Sequence, residues 1–251
     1  MARRRILVIV PIPMDEAGVA QREAQLAGLR IAPDTEVVFQ AVSWGAALGD
    51  SYHDMLLMDM SVFEAGLKAE EAGFDAVIVD TVSDSGLAAL RSRLAIPVVG
   101  PGQAALHLAA MLGHRFTILT MWDEWFPLYR KILTEYALWP RLASMRSIRT
   151  RPDLKELLAG KEEVVFAKLL DEARAAIAED GADVIVLGST TMHQSHGHLA
   201  ANLPVPVINP GVVAFRMTEL LLDLGLAHSK KAYPTPEVLQ DDAILERRPP
   251  R

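Results

Sequence analysis

Two small hydroxyl residues, Thr81 and Ser189, stand at matching places in two closely similar phrases. "DAVIVDTVSDSG" runs from Asp75 to Gly86, and "DVIVLGSTTMHQS" from Asp183 to Ser195. Each hydroxyl follows its leading aspartate by six residues. Further hydroxyls crowd both places: Ser83 and Ser85 in the first, Thr190 and Thr191 in the second. In each phrase an apolar run gives way to a helical pattern, so all six lie at strand-to-helix junctions. Backbone N–H groups at helix starts attract anions, and hydroxyls there add donors. That combination suits a carboxylate. Ser and Thr are also the preferred helix N-caps, and both readings stay open. Proton transfer needs a group that titrates near neutrality. His193, four residues beyond Ser189, has that property; the plainer alternative is an exposed or capping histidine. Asp84 is a candidate acid or base in the first phrase and equally a helix cap. Asp80 precedes Thr81, where strand geometry can turn it away from a ligand.

These residues need strands to position them. Ile6–Val10 reads as a buried strand ended by Pro11 and Pro13. Asp15–Arg30 reads as a helix and Glu36–Ala41 as a second strand, followed by the polar loop "SWGAALGDSYHD". Asp59–Ala72 reads as a helix ended by Gly73. Ala76–Val79 is an apolar run of the kind buried on both faces of a parallel sheet. Ser85–Leu94 is a helix and Pro97–Val99 a strand. In the second half, helices are expected at Gln103–Leu112, Phe126–Tyr136, Lys161–Glu179, His196–Asn202 and Val213–Leu224. Strands are expected at Arg115–Thr120, Met145–Ile148, Val184–Leu187 and Val205–Ile208. The tail "RRPPR" reads as mobile. Such alternation predicts an α/β fold of mostly parallel sheets with right-handed crossovers.

The repetition extends past the opening phrases. "AIPVVGPGQAALHLAAML" begins at Ala95 and "PVPVINPGVVAFRMTELL" at Pro204. Thr81 and Ser189 are 108 residues apart, and Pro97 and Pro206 are 109 apart. So small a drift indicates duplication. Two pseudo-symmetric lobes follow, one from 1–100 with a returning segment 210–251, the other from 101–209. Ligands of such sheets bind beyond the C-terminal strand ends. Facing lobes would bring both ends to one cleft, with Thr81 and Ser189 on opposite sides of the ligand. Pro11, Val82, Ser83, Thr190 and Thr191 are then expected to contact substrate. Tyr52, in "YHD", would sit at the rim and bind a carboxylate, with His53 moving protons; an ordinary polar loop explains the same residues. Trp122, with Trp125 and Phe126, would build an apolar wall for a substrate larger than aspartate, or pack the helix that follows.

Composition narrows the classes. The chain has 251 residues, with 25 Lys and Arg against 32 Asp and Glu, for a formal charge of −7. That balance argues against a dedicated nucleic-acid binder, and the short basic start "MARRR" does not change it. No apolar run reaches the length of a membrane span. "ILVIVPIP" is a strand-length run rather than a signal peptide. A soluble cytoplasmic protein is expected. Cysteine is absent, which removes thiol catalysis and thiolate metal sites. "HQSHGH" places His193, His196 and His198 close together, but His198 is rotated off the face the other two would share. No metal is expected there. "MLLMDM" reads as helix packing. "GPGQA" lacks the spacing of a phosphate loop, and Gly-X-Ser-X-Gly is missing.

With these phrases in hand, the chain resembles the aspartate/glutamate/hydantoin racemase superfamily over nearly its whole length. The likeness is strongest at "EEAGFDAVIVDTVSDSGLAALR", "IPVVGPGQAALHLA", "DGADVIVLGSTTM" and "VPVINPGVVAFRMTELLLDLG". "LGLAHSKKAYPTP" resembles the tail of the hydantoin-racemase-like branch. The resemblance implies two lobes around a cleft, no organic cofactor and no metal. It implies a small carboxylate, imide or amide-like substrate reacting through an enolate, and it adds Thr120 as a carboxylate-binding hydroxyl at a strand end. It also implies a cysteine in each phrase, one removing a proton and the other returning one on the opposite face. Those positions fall on Thr81 and Ser189. A thiol has an ordinary pKa of about 8.5, which its surroundings can bring into the working range; an unassisted hydroxyl is far too weak an acid to serve as a resting base. Racemisation by two thiols is therefore not expected here. Decarboxylation, elimination, ring hydrolysis or isomerisation with another base fits the altered site, as does a binding protein without turnover. A homo-oligomer is expected.

Overall fold

The computed structural model describes residues 3–152 and 162–245. Lys161 and the "RRPPR" tail lie outside them. Contacts divide the chain into two units. One gathers the residues up to Asp80, Asp84–Gly100 and the residues from Phe215 onward. The other gathers Thr81–Ser83 and Pro101–Ala214.

The first unit is built on β1 (Arg4–Val10), β2 (Thr35–Ala41), β3 (Ala76–Val79) and β4 (Val98–Val99), in the order β2-β1-β3-β4 and all parallel. Its helices are α1 (Glu16–Glu23), α2 (Tyr52–Gly66) and α3 (Leu87–Arg93). The second unit opens with α4 (Pro101–Leu112). It continues with β5 (Phe116–Thr120), α5 (Phe126–Glu135), β6 (Leu142–Ser147), α6 (Glu162–Asp180), β7 (Val184–Leu187), α7 (His196–Asn202) and β8 (Val207–Ile208). Its sheet has the equivalent order, β6-β5-β7-β8, again all parallel. α8 (Pro210–Leu224) carries the chain from the second unit back to the first, and α9 (Asp242–Leu245) ends the described chain.

The duplication is legible at single residues. Asp75 and Asp183 each open a phrase, and each ties its strand to the central strand of the same sheet. Asp75 Oδ2 accepts Arg5 N–H at 2.7 Å, while Asp75 N–H donates to Arg5 O at 2.8 Å. Asp183 Oδ1 accepts Arg115 N–H at 2.9 Å, while Asp183 N–H donates to Arg115 O at 2.9 Å. Burial alone would raise Asp183, but the N–H donors of Arg115 and His114 outweigh it and hold the carboxyl below its ordinary value. The leading aspartates are thus strand clamps. The runs they open, Ala76–Val79 and Val184–Leu187, are buried throughout, as strands covered by helices on both faces must be.

β6 starts at Leu142 and not Met145, α8 starts at Pro210 and not Val213, and two further elements depart more widely from the sequence pattern. α1 ends at Glu23, where a 3-10 turn over Ala24–Leu26 and Gly28 at φ +82° redirect the chain. The expected loop over "YHD" is the first turn of α2, which ends at Gly66 instead of reaching Ala72. Ser51 causes the early start: its Oγ accepts Asp54 N–H at 3.2 Å, while Asp54 Oδ2 accepts Gly49 N–H at 3.1 Å. This is a capped N-terminus.

The edge strands β4 and β8 are each closed by a histidine. Val98 N–H donates to His228 Nε2 at 2.9 Å, and the equivalent Val207 O pairs with His196 Nε2 at 3.1 Å. His228 belongs to the segment after α8, which also lays Lys230 Nζ on the carbonyls of Arg91, Ser92 and Leu94. Accepting an N–H requires an unprotonated ring nitrogen. Burial, reinforced by the charges of Arg91 and Lys230, moves His228 from its ordinary 6.5 down to about 4. Stability from this contact is therefore complete above pH 6.5 and is lost as pH falls toward 4. His228→Gln keeps an acceptor that does not titrate. Urea unfolding at pH 7.5 and 4.5 is expected to show a smaller acid-induced loss for this variant than for the parent. Equal losses would remove His228 from the acid response.

Candidate active site

β3 releases the chain at Asp80, whose carboxylate is only 1% exposed. Arg22, in α1, binds it through Nη2 at 2.8 Å and Nε at 2.9 Å, and Gln25 Nε2 donates at 3.3 Å. Asp80 is thereby committed to anchoring α1. Thr81 follows. Its Oγ1 accepts Ser83 N–H at 3.3 Å and shares a hydrogen bond with Ser83 Oγ at 2.8 Å. Lys131 Nζ donates to Ser83 O at 3.3 Å. α3 begins six residues after Thr81, and its N-cap is Gly86, at φ 70° with no side-chain cap bond. The Thr81 hydroxyl is thus part of a free-standing turn and not a cap of α3. Val82 and Ser83 are buried, as is Pro11 at the exit of β1.

Asp84 adopts φ 52°, a left-handed conformation that an aspartate tolerates better than most residues. Its carboxyl is buried against Gly100. A Cβ on Gly100 would come within 2.4 Å of Asp84 Oδ1, so only glycine fits there. The fold thus ties Asp84 to the end of β4.

β7 releases the chain the same way. Ser189 Oγ accepts Thr191 N–H at 3.3 Å and shares a hydrogen bond with Thr191 Oγ1 at 2.7 Å. Here the turn does start a helix: Ser189 is the N-cap of a 3-10 segment over Thr190–Ser195 that leads into α7. The capping and ligand readings of the hydroxyls thus part company between the two exits. Thr190 is buried, and Thr191 and His193 are half-buried. The other two histidines of "HQSHGH" have structural partners. His196 holds Val207 O, and His198 stacks on Phe166 with centroids 5.7 Å apart. Among the described residues, no group of three or more His, Asp or Glu is placed to hold a metal ion.

Thr120 ends β5 beside β7 and is fully buried. Its Oγ1 lies 2.7 Å from Tyr129 Oη, and Tyr129 donates onward to Gly188 O at 2.9 Å. A phenol has one proton, so Thr120 is the donor in the first bond. Burial pushes the Tyr129 phenol well above its ordinary range, the Thr120 bond opposing. Tyr129 therefore stays protonated and braces the residue just before Ser189. Nothing at position 129 in the sequence announced this role. The available signal was Gly188, where a Cβ would come within 2.5 Å of Tyr129 Oη. Trp125 is buried and packs the segment leading into α5. Trp122 is half-buried, edge-on to Trp125 at 6.4 Å, with the Arg151 guanidinium 5.9 Å from its ring. Tyr52 is 77% exposed on the first turn of α2.

Two equivalent parallel sheets, each ending its third-ordered strand in a paired-hydroxyl turn, define a duplicated α/β protein. The profile of the Asp/Glu/Hydantoin racemase family matches residues 17–218. The chain is 33% identical over 214 residues to the hydantoin racemase of Pseudomonas sp. (strain NS671), covering 85% of each. It is 30% identical over 228 residues to that of Paenarthrobacter aurescens, covering 90% of this chain and 94% of the relative. Among solved structures, allantoin racemase from Klebsiella pneumoniae superposes with a TM-score of 0.84 at 29% identity, over 96% of this chain and 98% of that one. The chain belongs to the Asp/Glu/hydantoin racemase family and is an enzyme of the racemase/isomerase type. No described helix is long and apolar enough to cross a membrane.

Tyr129→Phe removes the partner of two buried groups, the Gly188 carbonyl that accepts from it and the Thr120 hydroxyl that donates to it. It is expected to lower unfolding free energy by about 1–3 kcal/mol, measured by denaturant titration. A loss below 0.5 kcal/mol, on the order of an ordinary surface change, would show that the bridge is not needed.

Proposed function

We propose that this enzyme acts without a cofactor on a small cyclic ureide or imide of the hydantoin type, through an enolate that is protonated on one face of the ring, so that a single product enantiomer forms. The observation that carries the proposal is the paired-hydroxyl turn at the two positions where the family resemblance implies thiols. The printed names of the relatives, hydantoin and allantoin racemase, support a cyclic ureide as the substrate class. Such a ring carries an acidified C–H next to a carbonyl. When that bond breaks, the electron pair moves onto the carbonyl oxygen. Hydroxyl and N–H donors at a helix start stabilise the charge that develops there.

In this reading Thr81 and Ser189 are hydrogen-bond donors, not bases. The Ser189–Thr191 pair carries two hydroxyl protons and uses one in its mutual bond, which leaves one to donate to substrate. Ser83, Thr190 and Thr191 complete the two turns, and Thr120 holds Gly188 through Tyr129. His193, in the turn that Ser189 caps, removes the proton and returns it. We assign Asp84 to holding its loop against Gly100. Trp122 supplies the half-buried apolar surface that a substituent on the ring would meet; Pro11 and Val82 contribute only their buried strand exits.

One proton-transfer group serves one face. A single enantiomer of a 5-substituted hydantoin, incubated with enzyme in deuterated water, is expected to gain deuterium well before optical rotation is lost, relative to an enzyme-free control. His193→Asn should abolish the exchange. Ser189→Ala should weaken binding of the ring by about 10- to 150-fold, the loss of a donor to a charged or developing oxyanion at about 1.5–3 kcal/mol. Deuterium entering both enantiomers at comparable rates would mean that two bases act and would overturn the one-faced reading.

A further inference from the structure

Asn209 follows β8 and immediately precedes α8. It is 8% exposed, and its Oδ1 is buried without a hydrogen-bond partner. A side-chain oxygen left in that state has given up its hydration with nothing in return. The position makes it more unusual. Asn is among the preferred N-caps, and a capping Asn turns its Oδ1 onto the N–H groups of the first helical turn. The backbone of Asn209 does behave as a cap, with its carbonyl accepting Val213 N–H at 3.1 Å. Its side chain does not.

The location gives the orphan a use. β8 pairs with β7 in the register Val186↔Ile208, so Asn209 stands level with Leu187. Leu187 is followed by Gly188, which Tyr129 braces, and then by Ser189. Asn209 and the Ser189 turn therefore leave the same end of the same sheet on neighbouring strands. That end is where ligands of parallel sheets bind. A buried acceptor there calls for a donor from the ligand. Cyclic ureides carry ring N–H groups, whereas simple amino-acid carboxylates offer no such neutral ring donor.

We propose that Asn209 is a specificity residue that accepts a hydrogen bond from the substrate's ring N–H, the one next to the reacting carbon. This rests on the cyclic-ureide reading above and adds to it the group that distinguishes a ureide from an isosteric ring without that N–H. The energetic logic is that of a polar site whose buried group is satisfied only by the right ligand.

The test compares two ring ligands, hydantoin and oxazolidine-2,4-dione, in which that N–H is replaced by oxygen. Dissociation constants are measured by calorimetry for the parent and for Asn209→Leu, a change of similar volume, together with each protein's Tm. The parent is expected to favour hydantoin, and the ratio of the two constants should fall about tenfold or more in Asn209→Leu. The Tm of the variant should be equal to or above that of the parent, because an unsatisfied polar atom has been removed. A lowered Tm with an unchanged ratio would make Asn209 a structural cap and overturn the proposal while leaving the ureide reading intact. Failure of the parent to bind either ring would overturn both.

Discussion

A strand buried on both faces can satisfy its backbone only while it has neighbours. At its C-terminal end the ladder stops, and the freed N–H and C=O groups must find partners in surroundings that are still largely dry. The two halves of this protein meet that constraint twice in the same manner. An aspartate clamps the entry of β3 and of β7. A hydroxyl residue six positions later folds back on the N–H two residues ahead. The phrase is repeated because the same problem is solved at the same place in two copies of one sheet. The hydroxyls that solve it stand where ligands of such sheets bind.

The buried strands were the most legible part of the sequence. Ala76–Val79 and Val184–Leu187 are unbroken apolar runs opened by aspartate, and both were placed to the residue. α7 spans the expected His196–Asn202 although it contains Gly197. α2 was misplaced because "MLLMDM" is apolar on too many positions to show a face, while its start is written in a single polar pair, Ser51 and Asp54. α1 was drawn too long because the 3-10 segment over Ala24–Leu26 continues its apolar pattern while changing its geometry.

The candidate site was legible where it is local. Thr81 with Ser83 and Ser189 with Thr191 are contacts over two residues, between hydroxyls that the sequence groups at one junction. Contacts over long separations were not legible. Tyr129 reaches a carbonyl 59 residues away, and nothing in its helix records that. Strand geometry alone allows Asp80 to turn away from a ligand, but its partner Arg22, 58 residues earlier, is not written beside it. The orphaned Oδ1 of Asn209 is a property of what fails to approach it, which no local pattern encodes.

In the proposed reading, hydroxyls stand at the two points where the family resemblance implies acidity. A hydroxyl there still donates a hydrogen bond, but it cannot shuttle a proton near neutral pH. The most direct measurement restores the acidity. In the double variant Thr81→Cys with Ser189→Cys, racemisation of a 5-substituted hydantoin, followed by optical rotation, should accelerate by about 100-fold or more, the scale of general acid–base catalysis. Ser189→Cys alone should gain far less, because it adds a second group to the turn that His193 already serves. A folded double variant that racemises no faster than the parent would contradict the claim that the two hydroxyl turns hold the positions of the proton-transfer groups.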